Sequence, residues 1–312
     1  MNNMGEPKEQ QPLYNQVSTE LVFALLKEKR SERRWKNFRF LAWFSLIIFF
    51  VWIAFSSNYV SPAPLNDDYV ALIQMEGTIE PSTDFSAENM VPALKQAFSD
   101  DRAKGIILEI NSGGGTPVQA AIIHDAILTL KKKYKKKVVV VGEDFLASGA
   151  YYIAVAADQI YVNPNTITGS VGVIMKGFGF NELLTKLGIE RRVYMSGDAK
   201  DRMDPFLPQN KADVEKANQM LGEVQTNFNN AVLAARRGKL HGDPATLFNG
   251  DFWSGSTALK LGLVDGLGNL MDVLDQEFKV SHYRDYTPSS SFINKMAGSF
   301  GTSLGHFVRM LG

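Results

Sequence analysis

The sequence predicts an α/β layered domain behind a single N-terminal membrane-spanning helix, on three observations. Short apolar runs alternate with amphipathic stretches from residue 69 onward, the rhythm of strands and helices packed in layers. Residues 40–55 (FLAWFSLIIFFVWIAF) contain a single polar residue, Ser45. Small-residue turns follow two of the apolar runs, at Asn111–Gly115 and Ala147–Ala150.

The N-terminal segment fixes an orientation. Extended through Ser56, Ser57, Asn58 and Tyr59, the apolar run reaches the roughly 20 residues a helical span needs. Lys27, Lys29, Arg30, Arg33, Arg34, Lys36 and Arg39 crowd its N-terminal flank, and no Lys or Arg occurs from Ser56 to Asn89. The positive-inside rule then keeps residues 1–39 in the cytoplasm, uses 40–59 as a single-pass anchor and exports the rest. A cleaved signal peptide fits less well, because the charged region is long and no small-x-small site follows.

Residues 60–68 read as a linker. Tyr69–Met75 reads as a strand, 88–98 as a short amphipathic helix, and Gly105–Ile110 as a buried strand running into Asn111-Ser112-Gly113-Gly114-Gly115. Residues 117–133 have helical periodicity and end in the basic run KKKYKKK at 131–137. Its ordinary reading is a solvated helix end that complements the dipole, with an anionic-lipid contact as the alternative. Val138–Val141, Gln159–Val162 and Gly169–Ile174 read as further strands, with a small-residue helix from Ser148 through Ala157. In the long helix 210–236, Val214, Ala217, Leu221, Val224, Phe228 and Ala231 form a seam suited to packing another helix. Residues 284–291 read as a second linker, and 292–311 as an amphipathic C-terminal helix.

Composition narrows the chemistry. Lys plus Arg and Asp plus Glu both number 33, which gives no global bias toward nucleic acid. The absence of cysteine excludes disulfides, thiolate metal sites and cysteine nucleophiles. The four histidines lack helical zinc spacing, so no metal or other cofactor is expected.

Ser148 stands where an apolar strand gives way to a small-residue helix, a turn that can expose a hydroxyl beside helix N–H groups. Leu146 departs from the G-x-S-x-G elbow, and a serine at such a position ordinarily just caps the helix. The glycines at 113–115 add a loop whose N–H groups can stabilise developing negative charge. No Gly-Lys-Ser/Thr or G-x-G-x-x-G occurs, which disfavours a nucleotide site. A serine nucleophile needs a base. His124-Asp125 offers one, and a desolvated lysine another, with Lys200, Lys176 and Lys186 as candidates.

NSGGG at 111–115, FLASGAYYIA around Ser148, TITGSVGVI at 166–174, SGDAKDRMDPF at 196–206 and WSGSTALKLGLVDGLG at 253–268 together resemble the bacterial signal peptide peptidase A family, in order and spacing. The resemblance spans roughly residues 69–275. It implies a crotonase-like fold related to the Clp protease subunit, and a serine peptidase with a Ser–Lys dyad. It casts Ser148 as nucleophile, Lys200 as general base, Ser170 as the serine that orients the lysine, and the N–H groups of Gly114 and Gly149 as the oxyanion hole, with Gly115 as close rival to Gly114. The family usually has proline where Gly113 stands, which loosens the loop. The chain holds one peptidase unit, at 69–283, like the short members of the family; these form ring-like homo-oligomers in which neighbours can contribute to one site. Remnant signal peptides are the implied substrate, at the outer face of the bacterial cytoplasmic membrane. Two rivals remain: an acyl-CoA-type crotonase, which the exported topology disfavours, and a non-catalytic scaffold binding membrane peptides or proteins.

Overall fold

A computed structural model describes residues 29, 33–50, 52 and 68–288 of the 312-residue chain. Contacts divide the chain into two units, 1–62 and 63–312. In the first, residues 33–50 are helical and expose Phe40, Leu41, Trp43, Phe44 and Ile47. Among the described residues no helix is long and apolar enough to cross a membrane. The expected span runs on through 51 and 53–59, and the expected C-terminal helix occupies 292–311; both stretches lie outside the described residues.

The second unit is built on an eight-stranded sheet with the path β6-β5-β3-β2-β1-β8, from which β4 and β7 branch beside β3. The strands are β1 (Tyr69–Glu76), β2 (Ala103–Ser112), β3 (Lys137–Ala147), β4 (Gln159–Val162), β5 (Ile167–Gly169), β6 (Phe252–Ser254), β7 (Gly266–Leu267) and β8 (Tyr283–Asp285). All described pairings are parallel except β5 with β6. Parallel strands need crossovers, and helices supply the first ones. They are α1 (Ala87–Ser99) between β1 and β2, α2 (Pro117–Tyr134) between β2 and β3, and α3 (Gly149–Ala154) between β3 and β4. Alternation along the strands divides the apolar residues between the faces. Ala71, Ile73, Ile106, Leu108, Val138 and Val140 face the main core with α1 and α2 residues such as Leu94, Phe98, Ile123 and Ile127. Val70, Leu72, Ile107, Val139 and Val141 face a smaller cluster closed by Val273, Leu274 and Phe278.

Three sequence expectations change. The third strand does not stop at Val141 but continues through Gly142 to Ala147. Its pairing with β2 slips between Ile110 and Ser112, so a bulge at 143–145 bends it. Its first half pairs β4 and its last residues pair β5. The strand expected at Gly169–Ile174 is instead Ile167–Gly169, because positive φ at Gly169 (90°) and Ser170 (50°) turns the chain out of the sheet. The segment read as a linker from 284 pairs as β8 beside β1. The Tyr69 phenol donates to Asp100 Oδ2 (2.5 Å), the Tyr286 phenol donates to the same oxygen, and the Tyr286 N–H reaches Leu72 O (2.8 Å). Periodicity could not show that one partly buried carboxylate ties the C-terminal strand to the core.

The long helix α5 (Lys211–Ala235) follows α4 (Asn181–Lys186), and α6 (Pro244–Leu247), α7 (Gly255–Lys260) and α8 (Leu270–Val273) complete the unit. At the end of α5, Arg236 is buried, donates from Nε and Nη2 to Gly262 O, and pairs with Asp265 at 2.6 Å. Removing Arg236 leaves Asp265 with Lys239 and takes both side-chain donors from Gly262 O, and breaking such a buried network costs about 3 kcal/mol or more. Arg236→Leu should therefore lower Tm by roughly 6–12 °C in a unit of this size, read by calorimetry; an unchanged Tm contradicts the assignment.

Two carboxylates of the core's rim contribute to the pH dependence. Burial raises the pKa of Asp100, but hydrogen bonds from Tyr286 and Tyr69 outweigh it, leaving the value below normal. Burial likewise opposes, and Arg236 and Lys239 outweigh, at Asp265. A depressed carboxylate stabilises the fold above its unfolded pKa, about 3.9, and loses that contribution as pH falls through the folded value. The protection of the Tyr286 amide, its exchange rate taken relative to the intrinsic rate at the same pH, should fall as pH drops below about 4. A flat, core-like protection down to pH 2 would remove Asp100 as the clamp.

Candidate active site

The site lies at the C-terminal ends of the parallel strands, where open α/β sheets place their ligands. Ser148 follows the last residue of β3 and precedes α3, with φ 53° and ψ −124°. A non-glycine residue there costs about 1–3 kcal/mol and persists only when its surroundings hold it. The hold is visible. The Ser148 N–H donates to Gly169 O at 2.9 Å, across the pairing of Ala147 with Gly169, and Ser148 O accepts from the Tyr152 N–H at 2.9 Å. The Ser148 side chain makes no capping bond to the helix. The ordinary reading of a helix-start serine therefore does not apply, and the hydroxyl stays free among the described residues.

The glycine loop closes over this turn. Gly114 has φ 104°, and a Cβ on it would stand 2.7 Å from both the Gly149 nitrogen and Ser148 Cβ, so only glycine fits. A Cβ on Gly149 would stand 3.2 Å from the Gly115 nitrogen. Ser112 fixes the loop: its Oγ donates to Gly77 O (2.6 Å) and accepts the Gly114 N–H (3.1 Å). That contact takes up the Gly114 donor expected for the oxyanion hole. The N–H groups of Gly115 and Gly149 have no acceptor among the described residues, so the geometry favours the rival pair, Gly115 with Gly149.

A cavity of about 110 Å³ opens beside Ser148, lined by Pro117, Ala120, Tyr152, Ile174, Val224 and Phe228 among others. Ligand pockets typically run to several hundred Å³, so this one suits a single apolar side chain. Val224 and Phe228 belong to the seam that periodicity assigned to helix packing. The apolar pattern was legible, but a surface that waits for substrate has the same pattern as one that waits for a helix.

The candidate bases do not join Ser148 within one chain. His124 is buried, bonds its neighbour Asp125 (Nδ1 to Oδ1, 2.9 Å) and packs 4.9 Å from the Tyr152 ring, with no bond to Ser148. Lys176, Lys186 and Lys200 are exposed, and the side chain of none has a hydrogen bond or ion pair among the described residues. Lys200 sits in a turn closed by its N–H to Gly197 O (3.2 Å). The Asp-Pro-Phe stretch after it ties to itself and to the segment before it: Asp204 accepts the Phe206 N–H (2.9 Å) and pairs with Arg191. Ser170 is brought close in chain terms, one residue beyond the Gly169 that holds Ser148. Its N–H donates to Asp251 O (2.8 Å) and its Oγ contacts Gly250 O at 3.4 Å. Sequence reasoning missed this pairing with β6, as it missed Tyr152 in the cavity wall; neither has a local signal.

A strained, uncapped serine beside free backbone donors and a side-chain cavity defines the serine-hydrolase class of site. Comparison with known proteins narrows the class. The profile of peptidase family S49 matches residues 130–281. A candidate protease of Synechocystis sp. is 32% identical over 207 residues, 65% of this chain and 71% of its own length. A candidate signal peptide peptidase of Enterococcus faecium is 33% identical over 206 residues, 65% of this chain and 58% of its own. A sodium/proton antiporter NhaA of Brucella melitensis is 45% identical over 185 residues, 59% of this chain, and the chain spans only 25% of its length. The chain belongs to peptidase family S49.

The cavity makes a prediction. Val224→Phe fills it from the half-buried face of α5. Turnover of peptides with leucine before the scissile bond should fall about 10–200-fold in kcat/KM while alanine peptides are spared, as expected for a pocket changed by a few methylenes. Equal losses for both peptides would detach the cavity from substrate selection.

Proposed function

We propose that this chain is a membrane-anchored serine endopeptidase in which Ser148 is the nucleophile and Lys200 the general base, acting on apolar peptides, remnant signal peptides among them, at the extracytoplasmic face of the bacterial cytoplasmic membrane. The observation that carries the reading is the strained Ser148 turn, with its free hydroxyl between the Gly115 and Gly149 donors and the apolar cavity. Ser148 Oγ attacks the scissile carbonyl carbon and its proton passes to neutral Lys200 Nζ. The Gly115 and Gly149 N–H groups receive the oxyanion. Collapse expels the amine, which takes the proton from Lys200, and leaves an acyl-enzyme that water hydrolyses. Ser170 orients the lysine. The chemistry calls for no metal or cofactor.

Lys200 acts on the Ser148 of a neighbouring copy in a homo-oligomer. Support comes from the segment around it, where Ile174, Met175, Phe178, Leu187, Ile189 and Tyr194 are exposed, a concentration of large apolar side chains that suits a surface made to meet a partner. A lysine works as a base only when desolvation disfavours its charged form, and contact with a second copy supplies that desolvation. The anchor reading is supported by the apolar run 40–55, its basic flank and the all-round apolar exposure of the helical residues up to 50. The substrate class is supported by the signal peptide peptidase name of the Enterococcus relative.

The test uses the full chain in detergent and a fluorogenic apolar peptide. Ser148→Ala and Lys200→Met should each lose on the order of 10⁴-fold in kcat, and mixing the two dead variants should restore a measurable fraction. Activity in Lys200→Met with loss in His124→Ala would move the base to His124. Dead variants that stay dead on mixing, despite forming mixed oligomers, would return the dyad to one chain.

A further inference from the structure

The parallel sheet has chemically different ends. Its strands start together: Tyr69 of β1 pairs Ala103 of β2, Gly105 of β2 pairs Lys137 of β3, and Val70 pairs Tyr283 of β8. Around that starting edge stand Arg102, Lys104, Lys279, Arg284 and the run Lys131–Lys137. Around the finishing edge stand Glu76, Glu80, Glu109, Glu143 and Asp144. Burial and the charges of Glu109, Glu76 and Asp144 raise the pKa of Glu143, which marks how closely these acids gather.

The basic run is more than a helix end. Only Lys131, Lys132 and Lys133 lie in the last turn of α2; Lys135 takes a left-handed conformation (φ 55°) that swings the chain directly into β3. Some lysines pin the fold. Lys131 pairs Asp158 (2.7 Å), Lys136 donates to Asp100 O, and Lys137 pairs Glu277. Lys132, Lys133 and Lys135 remain exposed with no ion pair among the described residues. Exposed Arg102 joins them, over the Tyr69 ring at 5.3 Å. The chain enters this same edge, since Asp68 pairs with Lys104 just before β1 begins. If the anchor ends at residue 59, the nine residues to Asp68 reach at most about 30 Å.

We infer that the starting edge of the sheet, through Lys132, Lys133, Lys135 and Arg102, binds the anionic phospholipid headgroups of the membrane that anchors the chain. The inference rests on the anchor proposed above and not on the identity of the base. It has a functional consequence. β3 is 11 residues long, so an edge seated on headgroups holds Ser148 on the order of 30 Å above them. The enzyme then cuts peptides that have left the bilayer or extend well out of it.

The cysteine-free chain permits single-cysteine probes without background. Ser99→Cys reports the starting edge, one residue before Asp100, and Asp144→Cys the finishing edge; both positions are exposed. Full-length protein carrying a fluorophore at either site is reconstituted in vesicles of phosphatidylcholine alone or with phosphatidylglycerol, each containing a nickel-chelating headgroup quencher. Quenching at Ser99→Cys should rise with phosphatidylglycerol, exceed that at Asp144→Cys, and fall in 1 M salt. Replacing Lys132, Lys133 and Lys135 by Gln should shift the contact equilibrium roughly 100-fold toward the free state at low salt, with hydrolysis of a soluble peptide unchanged as evidence of folding. Quenching indifferent to phosphatidylglycerol and to the three substitutions, or stronger at Asp144→Cys, overturns the inference. Flotation with pure phosphatidylcholine vesicles after a high-salt wash reads the anchor separately. If the protein does not float there, sedimentation with phosphatidylglycerol vesicles still reads the edge: loss in the triple variant upholds it, and no binding by the wild type rejects it.

Discussion

The structure depends on one backbone hydrogen bond, from the Ser148 N–H to Gly169 O. A serine in a left-handed turn costs about 1–3 kcal/mol, and a single hydrogen bond returns about 1 kcal/mol. The remainder must come from the packing that keeps β3 and β5 in register. That demand accounts for features that otherwise look unrelated. The bulge at 143–145 bends β3 away from β4 so that its last residues meet β5. Thr168 Oγ1 donates to Leu146 O at 2.7 Å and locks that short pairing from the buried side. Trp253 of β6 lies against Gly169, so close that a Cβ there would meet its ring at 2.8 Å.

The glycine loop answers the same constraint from the other side. Its three glycines do different work. Gly113 has open space around its Cβ position, Gly114 is excluded from bearing a side chain by the Ser148 turn, and Gly115 is held against Ile79, whose backbone oxygen would lie 2.1 Å from a Cβ. The parallel bridge between Ile79 and Gly115 fixes the loop to the segment after β1. The expected weakness from glycine at 113 is thus confined to the one position where nothing packs, while Ser112 and Ile79 hold its neighbours.

Beyond Ser170 the chain leaves the sheet, and its character changes. Residues 174–200 expose Phe178, Leu187 and Tyr194, whereas the core strands bury almost every apolar side chain. Local ties such as Phe180 against Phe206, at 5.5 Å, give the segment a shape without giving it a core. A surface with this composition invites a partner, which is the ground for proposing that Lys200 meets the Ser148 of a neighbouring copy.

The sequence by itself determined the layered α/β class, the extent of β4 and α5 to within a residue or so, the position of Ser148 and the family. Each of these is written in local periodicity, in turn chemistry or in motifs kept in register along the chain. Tertiary structure decided what depends on residues far apart. It set the bend of β3 and the early end of β5, the docking of β8 by Asp100, the commitment of the Gly114 donor to Ser112, and the turning of Val224 and Phe228 toward a cavity. A pattern of apolar residues states that a face will be covered; only the folded chain states by what, because that is settled by which distant groups arrive there and which donors they leave free.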